Sequence, residues 1–153
     1  MKKAMYSMFA AALLLGSASC SSDDDGSGNN ANITVQALTN TITNQTWRVT
    51  SYSEDGIDEI SNFSGFNFTF NDNNTVSASN GTDTFDGVWT ITDDDDDDNP
   101  GSNPDLNLTF GSPDDFLEIS EDWYTLERTG NRVRLSHISG GDGGTDYLTF
   151  ERN

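Results

Sequence analysis

Side chains able to do chemistry are few in this sequence, and each stands apart from the partners it would need. There is one histidine, His137. A triad histidine needs a hydroxyl or thiol nucleophile beside it, and a zinc site needs several N, S or O ligands. No glycine-flanked serine lies nearby, and no cysteine is left to share a metal. If its strand is regular, His137 falls on the face of Val133 and Leu135 and reads as a hydrogen-bonded histidine near the end of that strand. Glu118 with Glu121, or Asp114 with Asp115, has the residue types of a glycosidase pair, but among 26 acidic residues such pairs arise by chance. The run 93–98 is all aspartate, and Asp93, Asp95 and Asp97 are its Ca²⁺ candidates. The run fails the EF-hand pattern. Counted from Asp93, the position that needs glycine is Asp98; counted from Asp96, the fifth position is Pro100. A solvated loop is the simpler reading. Gly140-Gly141-Asp142-Gly143-Gly144 is one copy of a pattern that calcium-binding β-rolls repeat, and reads as a turn. The expectation is no enzyme, no cofactor and no resident metal.

Cys20 is the sole thiol, so it has no disulfide partner. Lys2 and Lys3 precede an apolar run over 4–15, and the small residues Gly16, Ser17, Ala18 and Ser19 lead into Cys20. That is the layout of a secretory signal peptide over residues 1–19. The run is shorter than the roughly 20 apolar residues a permanent span requires. Small residues running directly into a cysteine resemble the lipobox of bacterial lipoproteins. The resemblance implies cleavage after Ser19, lipidation of Cys20 and attachment to the membrane through that anchor alone. Several acyl chains, at about 0.8 kcal/mol per buried CH₂, hold where one chain is marginal. Ser21-Ser22-Asp23-Asp24-Asp25-Gly26 resembles the surface-export signal of Bacteroidota lipoproteins, which implies an outer-membrane, cell-surface location. Residues 20–32 then form the lipidated cysteine and a flexible acidic tether.

Cleavage would remove both lysines. It leaves five arginines (Arg48, Arg128, Arg132, Arg134, Arg152) against 26 acidic residues, so a formal charge of −19 becomes −21. Such a field repels nucleic acid and anionic headgroups, and nucleic-acid binding is set aside.

Residues 33–153 form one domain's length. Ile33, Ala37, Leu38, Thr41 and Ile42 share a helical face and predict a short N-terminal helix. From Trp47 onward the apolar period is two. It predicts eight strands, over 46–53, 66–70, 75–79, 84–92, 106–110, 123–128, 132–138 and 146–151, with 54–64 as a polar loop and 111–121 irregular. Asn80-Gly81 is a hairpin signal. Short links make sequential strands neighbours, and closing the sheet covers its apolar face and both edges. The expected fold is all-β, an antiparallel eight-stranded up-and-down barrel with a short helix before it. Its interior would hold Trp47, Val49, Phe66, Phe68, Phe70, Val76, Phe85, Trp89, Ile91, Leu106, Leu108, Phe110, Val133, Leu135, Leu148 and Phe150. None of these is smaller than valine, so a largely filled barrel is expected, with at most a shallow pocket at one mouth near Trp89 and Phe68.

Trp47-Arg48-Val49-Thr50-Ser51-Tyr52, Phe66-Asn67-Phe68-Thr69-Phe70, Gly87-Val88-Trp89, Asp122-Trp123 and Tyr147-Leu148-Thr149-Phe150-Glu151, in that order, resemble the small lipocalin-like lipoproteins of flavobacterial type. The likeness covers about residue 33 to the end. Gln45-Thr46-Trp47 stands where lipocalins usually have Gly-x-Trp. The resemblance implies a monomeric barrel that takes a small apolar or amphipathic ligand, with Phe68, Trp89, Leu108 and His137 as candidate contacts. It also implies a closure in which Arg152 covers Trp47. The alternative is a structural or interaction lipoprotein whose barrel is filled and takes no ligand.

Overall fold

A computed structural model of the chain describes residues 33–93, 103–138 and 144–153. The expected signal (1–19), Cys20, the tether, Asp95, Asp97 and Gly140 to Gly143 lie outside the described residues.

Helix α1 (Val35–Ile42) begins where the Thr34 hydroxyl accepts the Ala37 N–H at 3.1 Å, a side-chain cap of the kind that stabilises a helix by about 1 kcal/mol. Its threonines are poor helix formers. Thr39 and Thr41 return their hydroxyls to carbonyls four residues back, and the buried face of Leu38 and Ile42 supplies the packing.

The strands are β1 (Thr46–Glu54), β2 (Ile57–Asp58), β3 (Asn67–Phe70), β4 (Thr75–Ser79), β5 (Thr84–Thr92), β6 (Asp105–Phe110), β7 (Asp122–Arg128), β8 (Arg132–Ile138) and β9 (Thr145–Arg152). Each pairs antiparallel with the next in the order β2-β1-β3-β4-β5-β6-β7-β8-β9, and β1 also pairs with β9. The sheet is therefore a closed eight-stranded up-and-down barrel, with the two-residue β2 folded back on the end of β1. Closure leaves no long edge unpaired. In β5, Gly87 is fixed by crowding: a Cβ there would lie 2.5 Å from the Thr109 carbonyl oxygen and 2.8 Å from the Phe110 ring.

Every residue expected inside is buried, or half-buried in the case of Phe66, Phe85 and Ile91. The expectation that nothing smaller than valine points inward is corrected, because Ala78 and Thr125 are also fully buried. Tyr52 and Trp123 join the core as well. The pairing of β1 with β9 shifts between Val49 and Ser51; that bulge moves the inward phase from odd to even positions and carries Tyr52 inside.

Two further corrections concern the links. The polar loop at 54–64 contains β2 and a 3₁₀ turn (Ile60–Phe63) whose Phe63 is buried. The segment expected to be irregular contains a second short helix, α2 (Asp114–Glu118), and Phe116 from it is 1% exposed. The Phe116 ring lies within 5.0–5.9 Å of Phe63, Phe66, Phe68, Phe85 and Phe110. Burying one such ring stabilises by about 1.5–3 kcal/mol, with edge-to-face contacts adding to that. Helix α1 covers one end of the barrel, and α2 with the 3₁₀ turn plugs the other.

Candidate functional site

Of the four expected ligand contacts, Trp89 and Leu108 are direct cross-strand partners on β5 and β6, but the four do not meet around one space. Phe68 and Leu108 are in the core, and Phe68 sits at its centre rather than at a mouth, with the rings of Phe63, Phe110, Phe116 and Phe150 5.3–6.5 Å away. Trp89 is at the α1 end. Its indole N–H donates to the Asn71 carbonyl at 3.1 Å, and its edge borders a hollow of about 310 Å³ shared with Thr39, Thr43, Asp72 and Asn74. His137 is at the opposite end. Its Nδ1 lies 3.0 Å from the Asp122 carbonyl and 3.1 Å from Asp122 Oδ1, Nε2 lies 3.8 Å from Glu121, and the ring packs 5.9 Å from Trp123. His137, Glu121 and Asp122 thus form a cluster able to hold a cation, as do Glu54, Glu59 and Glu118 nearby.

The second cluster was not legible, because its members come from β1, the link after β2 and α2. Burial first, then the negative charge of its neighbours, raises Glu54 and Glu118 above the ordinary carboxylate range; the main neighbour is Asp146 for Glu54 and Glu54 for Glu118. One oxygen of Glu118, Oε2, is buried without a hydrogen-bond partner. Tyr52 donates to the Glu118 carbonyl at 3.5 Å, and burial with the surrounding acids holds its phenol protonated well above its usual range. Asp93, the described member of the Ca²⁺ candidates, is exposed.

Trp47 and Arg152 are direct cross-strand partners, as their expected places require. Trp47 is fully buried and its N–H donates to the Ile42 carbonyl at 2.9 Å, whereas Arg152 is exposed. The cation that reaches α1 is Arg128, which donates to the Thr41 hydroxyl at 2.9 Å. Arg132 and Arg134 share Glu127, at 2.5 and 3.3 Å, and those bonds hold the Glu127 carboxyl below its ordinary range.

A concavity of about 600 Å³ lies on the outside of the barrel at the seam between β1 and β3. The two strands pair only at Thr46 with Thr69 and Trp47 with Phe68. Beyond that β1 follows β9, and the 3₁₀ turn enters the gap with Phe63 facing inward. Gly65, at φ +85°, reverses the chain into β3. Ile60, Phe63, Phe66 and Val49 line the groove alongside the outward-facing Arg48 and Thr50. A hollow of about 500 Å³ lies on the outer face of β1, β9 and β8, over Thr149, Tyr147 and Arg134.

No protein-family model matches this sequence, and no curated protein matches it. Among solved structures the chain is similar to a DUF4847 family protein from Bacteroides vulgatus, at 17% identity and a TM-score of 0.51, over 76% of this chain and 97% of that one. At that identity the likeness concerns the fold alone: both chains share an architecture, and the neighbour comes from a member of the Bacteroidota.

Proposed function

We propose that the protein is a monomeric, lipid-anchored lipoprotein of the outer membrane, lipocalin-like in fold and displayed at the cell surface, that works through the exterior of a filled barrel and catalyses no reaction. The observation that carries the filled-barrel reading is the aromatic plug. Phe116 enters from outside the sheet and meets Phe68 and Phe110 where a lipocalin-type ligand would lie. A barrel of eight strands has room for its own side chains or for one small ligand, and here rings occupy the axis. The anchor rests on the cysteine-terminated signal, and the surface location on the Ser21 to Gly26 stretch that follows it. The fold neighbour from Bacteroides is consistent with a Bacteroidota source.

Fractionation tests the anchor. A Cys20→Ala chain should leave the membrane fraction while keeping its fold, and its recovery with the membranes would overturn the anchor. Protease added to intact cells should degrade the wild-type domain; full protection would overturn surface display.

A further inference from the structure

We propose that the groove at the β1–β3 seam binds an amphiphile with a single negative charge, its carboxylate or sulfate head on Arg48 and its hydrocarbon part over Ile60 and Phe66. The inference rests on the reading that the barrel interior is filled, since it places the ligand outside. At about 600 Å³ the groove falls within the range of small-molecule sites. Its floor is apolar where the 3₁₀ turn meets β3, through Ile60, Phe63 and Phe66. Its charged side chain is the guanidinium of Arg48, which, like those of Arg128 and Arg152, makes no ion pair among the described residues. Glu151, directly opposite on β9, makes none with it, while Arg132 and Arg134 are held by Glu127.

A guanidinium presents donors in a planar fork that matches a two-oxygen anionic head. Charge also sets the ligand's direction. The acidic cluster of Glu54, Glu59 and Glu118 belongs to the far end of β1, so the head is placed at Arg48, where Glu151 across the strand pair is the acid that opposes it, and the tail runs toward Ile60. The chain's overall negative charge opposes polyanions most strongly. A single charge within contact distance of Arg48 feels it less, because screening at physiological salt acts over about 8 Å.

The test titrates decanoate, decyl sulfate and uncharged decanol, each below its aggregation limit, into the full chain carrying Cys20→Ala, by calorimetry without detergent. The expected result is saturable binding of both anions at one per chain. Decanol should bind about tenfold more weakly, and Arg48→Gln and Ile60→Ser should each weaken decanoate by about tenfold. No saturable binding, or equal affinity in Arg48→Gln, would overturn the proposal. Affinity altered by Leu108→Ala and untouched by Ile60→Ser would place the ligand inside the barrel and overturn the filled-barrel reading with it. Retained folding of Arg48→Gln by circular dichroism excludes a trivial loss.

Discussion

The ring of Phe116 lies 5.9 Å from that of Phe68 with their planes only 22° apart, so a residue from a link outside the sheet is stacked on the barrel's central phenylalanine. Phe116→Ala should therefore act as a core truncation rather than a loop substitution. The expected loss is about 3–5 kcal/mol, read as a lowered urea midpoint at unchanged slope. A loss below about 1 kcal/mol would mean that the plug does not pack as described.

The acidic cluster makes a prediction with a definite sign. Glu118 titrates above its ordinary value in the fold, so between the ordinary value, about 4.3 for glutamate, and the raised one the folded state binds more protons than the unfolded chain. Stability from this group therefore falls as pH rises through that window, and the full penalty stands at neutral pH. Glu118→Gln should be more stable than wild type at pH 7, with the gap closing toward pH 4. Chemical denaturation at both values checks this; an equal or negative difference at pH 7 would contradict it.

Glu127 has the opposite sign. Its bonds to Arg132 and Arg134 lower its pKa, so its contribution is present above the ordinary carboxylate value and lost as pH falls through the lower, folded one. The two arginine side chains are 43% and 49% exposed, which limits the stabilisation to about 1 kcal/mol or less. Glu127→Gln should show that small loss at low salt and a smaller one in 1 M salt, about the concentration at which the screening length falls to 3 Å. A loss unaffected by salt would point to packing instead.

Barrel closure divides between two residues that share a register. Trp47→Phe should cost about 1–3 kcal/mol, because it leaves the Ile42 carbonyl without its buried donor. Arg152→Ala should stay within about 0.5 kcal/mol, since its side chain is exposed. If Arg152 does cover the indole, its removal costs about 0.5–2 kcal/mol and the loss vanishes in a Trp47→Phe background. Thermal unfolding of the two single variants and the double variant separates the cases.

Regular alternation made β4, β5 and β8 readable to the residue, because a half-buried strand repeats every second position and the turn residues bound it. The plug was hidden for the converse reason. Phe63 and Phe116 are single aromatics in polar links, and the few apolar residues beside them (Ile57 and Ile60; Leu117 and Ile119) are too few to set a period. Tyr52 was missed because a bulge resets the phase of β1, and a bulge inserts its extra residue with no fixed composition. The seam groove depends on how few residues β1 and β3 share, a long-range pairing that neither strand's sequence records. The reading of Cys20 and its flanks rests on linear text alone, since those residues lie outside the described ones.

The filled interior is the claim on which the rest depends, and xenon can report on it directly, because the gas enters dry apolar cavities and scatters strongly. Diffraction from crystals of the domain under xenon pressure should show no xenon between Phe68, Leu108 and Phe150, while Phe116→Ala crystals should show one where the ring was removed. Xenon on the barrel axis of the wild-type protein would contradict the account and restore an internal ligand site.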